Sequence, residues 1–190
     1  MRPGRRRVIA AAGLRARLMA APAGAWRVEY DHVGGSATTT WIGTNTCRFM
    51  FTPAAVNTVG SKVRATLRAG TLDLPITKAY VGIRAASGDP YDFATTPTPL
   101  TFNGGSAAAT IPALTDLLSD EVDLPVGAGD GLVISIVVSG GRSWWQATAA
   151  DGILATYKAG DDGATVDASG YPSATARYMV RKLEIFGVPE

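Results

Sequence analysis

The chain has 190 residues, of which 46% are hydrophobic, enough for one sizeable core and a short appendage. A single cysteine, Cys47, excludes an intrachain disulfide, and a single histidine, His32, argues against a zinc site built from His and Cys. The net charge of +2 is unevenly distributed: residues 1–27 hold seven basic residues and no acidic one, whereas residues 28–190 hold 11 basic and 16 acidic residues.

This distribution limits the partners of the chain. The acidic body is a poor general binder of nucleic acid, and no aromatic residue before Trp26 could stack on bases, so we predict no nucleic-acid partner. The apolar run at residues 8–14 is stopped by Arg15 and Arg17. It is far too short for a membrane span and weak for a secretory signal, so no span is predicted.

Residues 1–25 are predicted to form a basic arm that docks onto other subunits. Their Ala, Arg and Leu content over residues 5–20 favours a short helix, which Pro22 and Gly24 would end. Such a segment could bind an anionic surface or acidic partner subunits, or be a solvated tail; inside a particle, anchoring to a neighbour is the favoured interpretation. The residues assigned to this assembly role are Arg2, Arg5, Arg6, Arg7, Arg15 and Arg17.

Residues 26–190 are predicted to form one all-β domain, a β-sandwich of the jelly-roll kind. Short strand-like segments recur every ten to fifteen residues or so, with Gly- and Pro-rich turns between them and no sustained helical period. The predicted strands are Trp26–Asp31, Thr38–Ile42, Thr46–Thr52, Lys62–Arg68, Ile76–Ala85, Leu100–Phe102, Ala107–Ile111, Leu118–Pro125, Leu132–Val138, Ser143–Ala149, Leu154–Tyr157 and Ala174–Phe186.

Alternation within these segments predicts which face is buried. In Thr46–Thr52, Cys47, Phe49 and Phe51 alternate with Arg48 and Met50, so only the first set is expected in the core. The segment Lys62–Arg68 alternates in the same way. Both segments therefore predict strands with one buried face and one face in solvent.

Several strings in the middle of the chain resemble a known family. They are K-V-R-A-T-L-R, P-I-T-K-A-Y-V-G-I-R, T-P-L-T-F-N-G-G-S-A-A-A-T-I-P-A, S-D-E-V-D-L-P-V-G-A-G-D-G-L-V-I-S-I and T-Y-K-A-G-D, which together span roughly residues 46–161. In order and spacing they resemble the non-catalytic β-sandwich domain that accompanies SGNH/GDSL-type hydrolases. Related sandwiches look like the surface fibres and spikes of phages and phage-derived particles.

The resemblance does not extend to catalysis. The hydrolase family places its nucleophile in a Gly-Asp-Ser block, but the Gly-Asp pairs at residues 88, 129 and 160 are not followed by serine. The family's Asp-x-x-His block has no counterpart either, because His32 lies near the start and lacks an aspartate three residues earlier. We therefore predict no enzymatic activity and no catalytic residue.

Two acidic groups could form calcium sites. Asp161 and Asp162 with Asp167, and Asp120 and Glu121 with Asp123, could supply oxygen ligands, but their spacing fits no EF-hand loop. Solvated loop carboxylates are the favoured interpretation, so neither a metal nor a cofactor is predicted.

Aromatic residues in loops suggest a glycan site, because sugar rings stack their C–H faces on Trp and Tyr. Strand alternation at residues 143–149 lets only one of Trp144 and Trp145 enter the core, and a bulge would exchange the two. The other tryptophan could instead pack against the N-terminal segment or a neighbouring subunit. The predicted glycan-binding residues are Trp144, Trp145, Arg142, Gln146, Tyr91, Phe93 and Tyr171.

These observations predict a non-enzymatic subunit of a phage or phage-like particle, such as a spike or fibre component. It would lie at the particle surface, contact other particle subunits through its arm, and bind host cell-surface polysaccharide. A homo-oligomer is expected because particle attachment points are symmetric. Two alternatives remain open: a free carbohydrate-binding accessory module of an SGNH-type esterase, and a purely structural particle protein.

Overall fold

A computed structural model describes residues 24–32, 36–41, 43–140, 142–147, 153–172 and 177–189. The strands are β1 (Ala25–Asp31), β2 (Ser36–Trp41), β3 (Asn45–Phe51), β4 (Thr58–Arg68), β5 (Leu74–Ile83), β6 (Thr98–Leu100), β7 (Ala109–Ile111), β8 (Asp116–Leu118), β9 (Val122–Val126), β10 (Leu132–Val138), β11 (Arg142–Ala147), β12 (Ile153–Ala159), β13 (Arg177–Tyr178) and β14 (Val180–Pro189). In these ranges the one helical element is a 3₁₀ turn, Pro53–Ala55, and no helix is long and apolar enough to cross a membrane.

Two antiparallel sheets face each other, which confirms the predicted all-β sandwich. One sheet has the order β1-β14-β4, and both β8 and β9 pair with β4. The other has the order β12-β3-β10-β5, and both β6 and β7 pair with β5. A third, small sheet has the order β13-β11-β2. The predicted helix within residues 5–20 and the arginines of the arm lie outside the described residues. Of the predicted arm only Gly24 and Ala25 are described, and Ala25 begins β1.

The main core lies between the two large sheets. From the six-stranded sheet it receives Phe49 and Ile134, and from the five-stranded sheet Leu67 and Ile185, each at most 1% exposed. Burial of apolar area on this scale is the dominant driving force of folding. Cys47 belongs to the same core, and burial raises the pKa of its thiol well above the usual value, so it stays a protonated apolar group.

Strand β4 confirms the predicted alternation. Val63, Ala65 and Leu67 are buried, whereas Arg64 and Arg68 lie on the outer face. Across that outer face Arg64 donates two hydrogen bonds to the Glu184 carboxylate, at 3.0 and 3.1 Å. This face of the five-stranded sheet therefore carries charged, partly exposed side chains, as a solvent-facing sheet should.

Strand β3 contradicts the predicted alternation, because all seven of its residues are buried. Arg48 is 0% exposed and Met50 2%, although both lie on the face that was predicted to meet solvent. The cause is a second layer: the β5–β6 loop and the β12–β13 loop lie across the outer face of the six-stranded sheet. They form a second apolar cluster there that contains Met50, Tyr91, Phe93, Val133, Ala168 and Tyr171.

Two glycines let the loops approach this face closely. A Cβ at Gly82 of β5 would lie 2.9 Å from a ring carbon of Phe93, and a Cβ at Gly163 would lie 2.6 Å from a methyl carbon of Val137. Either side chain would push the loop away from the sheet. The sequence thus encodes a six-stranded sheet that is covered on both faces.

Candidate functional site

A pocket of about 290 Å³ opens where the two covering loops meet over the six-stranded sheet. Strands β3 and β12 provide its floor, and the β5–β6 and β12–β13 loops provide its walls. Its lining residues are Met50, Asp89, Pro90, Tyr91, Leu154, Thr156, Tyr171 and Pro172. Pockets that bind small organic ligands have this mixture of apolar surface and a few polar groups.

The pocket brings together two of the predicted glycan-binding residues. The rings of Tyr91 and Tyr171, which come from different loops, lie 4.8 Å apart with a tilt of 44°. They are 7% and 8% exposed. Each tyrosine therefore exposes only a small part of its surface to the pocket, less than a flat stacking platform would.

Phe93, a third predicted glycan-binding residue, does not line the pocket. It is 2% exposed and lies in the second cluster, against Arg48 of the sheet. The Arg48 guanidinium carbon is 4.8 Å from the centre of its ring, a cation–π distance. The ring thus covers a buried charge, and a glycan-binding role for Phe93 stays a prediction.

Arg48 fastens both walls of the pocket to the sheet. One of its terminal nitrogens donates to the Tyr91 carbonyl at 2.7 Å, and the other donates to the carbonyls of Asp162, at 2.9 Å, and Thr165. Burial lowers the pKa of Arg48, while Tyr171 and the carboxylates of Asp92 and Asp162 oppose that shift. The guanidinium replaces its hydration with carbonyl oxygens and aromatic faces, which makes its burial tolerable.

Asp92 supplies a second link between the two loops. Its buried carboxylate accepts hydrogen bonds from the backbone N–H of Asp89, at 3.0 Å, and of Ala168, at 3.1 Å. Within the first loop, the Tyr91 hydroxyl donates to the Asp89 carboxylate at 2.8 Å. These bonds fix the shape of the pocket before any ligand arrives, which reduces the entropic cost of binding.

Both pocket tyrosines hold their protons tightly. Burial, together with the hydrogen bond to Asp89, raises the pKa of Tyr91. Burial raises the pKa of Tyr171 from 10.0 to about 12, although the nearby Arg48 charge acts in the opposite direction. The Tyr171 hydroxyl is buried beside Thr46 and Arg48, and desolvation of its anion is the dominant effect.

The raised pKa of Tyr171 predicts a loss of stability in alkali. The unfolded chain loses the proton near pH 10 and the folded chain near pH 12, so the stabilisation is complete below pH 10 and disappears as the pH approaches 12. The loss amounts to at most about 3 kcal/mol. In urea unfolding between pH 8 and pH 12, the Tyr171→Phe variant should lose less stability than wild type. If Tyr171→Phe lost as much unfolding free energy as wild type, the alkaline loss could not be assigned to Tyr171. The control variant is Tyr157→Phe, because Tyr157 is exposed.

The four predicted residues of β11 lie apart from the pocket in sequence and in sheet. Strand β11 pairs with β2 and β13, and its register with β2 shifts between Trp144 and Trp145. At an irregular register, successive side chains need not point to opposite faces of the sheet. The expectation that only one of the two tryptophans enters the core therefore does not hold here. The side chains of Arg142, Trp144, Trp145 and Gln146 lie outside the described residues.

The acidic groups weighed as calcium ligands have protein partners. Asp161 pairs with Lys78, Asp162 with Lys158 and Glu121 with Lys62. The Asp120 carboxylate accepts hydrogen bonds from two backbone N–H groups and from a threonine hydroxyl. The bond from the N–H of Gly104 is the main cause of the lowered pKa of Asp120. In the described part of the chain no group of three metal-ligating side chains occurs.

Several residues of the site were not predicted. Arg48 looked like a solvated strand residue, while Asp89, Leu154 and Pro172 carry no motif. One signal was available: Met50 lies two residues from Arg48 and thus on the face that was predicted to meet solvent, where a large apolar side chain is out of place. It indicates that something covers this face, but not which loop does so.

Comparison with known proteins adds no family. A scan against models of known protein families finds no match, and a search of curated proteins finds none either. The resemblance to the accessory domain of SGNH/GDSL-type hydrolases therefore stays a prediction from the quoted strings.

Proposed function

We propose that the chain is a non-enzymatic β-sandwich subunit of a phage or phage-like particle, and that its loop pocket binds saccharides of the host cell surface. One observation carries the binding part: Tyr91 and Tyr171, chosen from the sequence as sugar-contacting residues, line one pocket with rings 4.8 Å apart. Aromatic rings, an apolar floor and a few fixed polar groups are the usual components of a saccharide site.

The geometry favours one mode of binding. A volume of about 290 Å³ lies at the lower end of small-molecule sites. The pocket thus suits a short branch or the end of a glycan chain and not a long stretch of polymer. Leu154, 45% exposed at the rim, offers an apolar surface for a sugar ring that projects from the pocket.

The particle part of the proposal has separate support. It rests on the resemblance of residues 46–161 to accessory sandwiches and on the basic arm, which would dock the subunit into a symmetric assembly at the particle surface. The accessory-module alternative uses the same pocket but predicts a monomer. Mass determination in solution separates the two, since a particle subunit should be a homo-oligomer.

A matched pair of leucines tests the pocket. Leu154 lines the pocket and is 45% exposed, while Leu118 lies on β8 of the other sheet and is 46% exposed. Wild-type protein is first screened against bacterial capsular and surface polysaccharides, and binding of the strongest one is then measured by calorimetry. Leu154→Ala should weaken binding about fivefold to tenfold, which corresponds to roughly 1 kcal/mol, whereas Leu118→Ala should leave it unchanged.

Each outcome of this test has a definite meaning. Because both leucines are about half exposed, neither variant should lose more than about 1 kcal/mol of stability, so weaker binding cannot be attributed to unfolding. Equal binding by the two variants would remove the pocket from the proposal. If the well-folded oligomer binds no polysaccharide, a purely structural particle role becomes the better account.

A further inference from the structure

We infer that the pocket selects uncharged or amine-bearing saccharides and rejects acidic ones such as uronates; this inference rests on the proposed saccharide-binding function. The first observation is charge. Among the described residues that line the pocket, Asp89 is the only one with a carboxyl or a basic side chain. It is exposed. A carboxylate at the entrance repels anionic ligands and attracts ammonium groups.

The second observation concerns the protons of the lining hydroxyls. The Tyr91 hydroxyl already donates to Asp89, at 2.8 Å, and the Thr156 hydroxyl already donates to the Pro172 carbonyl, at 2.6 Å. What remains on the two oxygens for a ligand is acceptor capacity, although the Tyr91 oxygen also accepts from the backbone N–H of Tyr171. The raised pKa of Tyr91 keeps its proton in this bond throughout the neutral range.

The third observation is a shortage of donors at the rim. Pro90 and Pro172 line the pocket and have no backbone N–H. The N–H of Asp89 is bonded to Asp92. The hydroxyl of Tyr171 is buried away from solvent, on the side of Arg48 and Thr46, so a ligand in the pocket does not reach it.

Two cations lie near the pocket, but neither lines it. Arg48 is 0% exposed, and its terminal nitrogens are occupied by three carbonyl oxygens. Lys158 is paired with Asp162 at 2.5 Å. Thus the accessible polar groups mainly accept hydrogen bonds. Sugar hydroxyls and ammonium groups can donate to them, whereas a carboxylate or sulfate, which only accepts, meets no free side-chain donor among the described lining residues.

The test compares chemically matched polysaccharides. Wild-type protein is titrated with dextran, galactomannan and chitosan oligosaccharides, and with polygalacturonate, alginate and bacterial uronate-containing capsules. Each acidic probe is also used in its carboxyl-reduced form. For a glycan that binds, the carboxyl-reduced form should bind at least about tenfold more tightly than its acidic parent at low salt, and this ratio should shrink as salt screens the Asp89 charge.

The Asp89→Asn variant assigns the selectivity to one side chain. Asparagine still accepts from the Tyr91 hydroxyl but lacks the charge, so the preference for the reduced form should fall to about twofold or less. Asp123→Asn, an exposed aspartate on β9 of the opposite sheet, should retain the wild-type preference. Tighter binding of the acidic parents by wild type, or an unchanged preference in Asp89→Asn, would overturn the inference while the pocket stays a saccharide site. Failure to bind any probe would overturn the proposed function and this inference with it.

Discussion

Replacing Arg48 with alanine should lower the free energy of unfolding by about 3–5 kcal/mol. The substitution removes three donated hydrogen bonds at once and leaves the carbonyls of Tyr91, Asp162 and Thr165 without that partner. It also opens a cavity beneath Phe93 and Tyr171, whose rings lie 4.8 and 5.5 Å from the guanidinium carbon. Urea unfolding at pH 7 measures the loss.

Arg27→Ala is the matched control, because Arg27 is exposed on the edge strand β1. Its cost should stay within about 0.5 kcal/mol. Since Arg48 holds both pocket walls, Arg48→Ala should also abolish saccharide binding under conditions where the variant is still folded. A cost for Arg48→Ala as small as that of Arg27→Ala would mean that the second layer over the sheet does not depend on this residue.

Replacing Phe49 with alanine should cost about 3–5 kcal/mol for a different reason. Phe49 points from the middle of β3 into the core between the two large sheets and is 1% exposed. The neighbouring strands β10 and β12 pair with β3 at Ile134 and Ala155, so the backbone around the site is fixed and can collapse only partly into the cavity. Thermal or urea unfolding gives the value.

Leu118→Ala is the control for Phe49→Ala, since Leu118 is 46% exposed. It should cost less than about 1 kcal/mol. The Phe49 variant should keep an intact pocket, because its side chain lies on the other face of the sheet from Arg48. If Phe49→Ala costs no more than the control, the two sheets are not packed as described.

The sequence predicted the sheet elements well because alternation and turn residues are local signals. The bounds of β10 agree with the prediction residue for residue, and β1 and β3 agree to within a residue at each end. The predicted strand Leu118–Pro125 is in fact two short strands, β8 and β9. Both pair with β4, β8 at residues 66–68 and β9 at residues 60–63, and the break between the two ladders leaves no local mark in the sequence.

The candidate site was predicted only in part, for a reason that Arg48 illustrates. Whether a strand face meets water depends on loops that return from far along the chain, and local alternation carries no information on them. Tyr91 and Tyr171 could be chosen one at a time as loop aromatics, but nothing local indicates that they touch. Phe93 is predicted by the same rule, but its ring packs on the buried Arg48 guanidinium, a contact that nothing local indicates.

The loop pocket is the proposed saccharide site, and the two tryptophans of β11 are the other candidate that the sequence names. The most direct test is NMR of wild-type protein with labelled methyl and indole groups, titrated with the oligosaccharide that binds best. The account predicts that the methyl signals of Met50 and Leu154 shift in proportion to occupancy, while the indole signals of Trp144 and Trp145 stay in place. Shifts confined to the two indoles, with the pocket methyls unmoved, would contradict it.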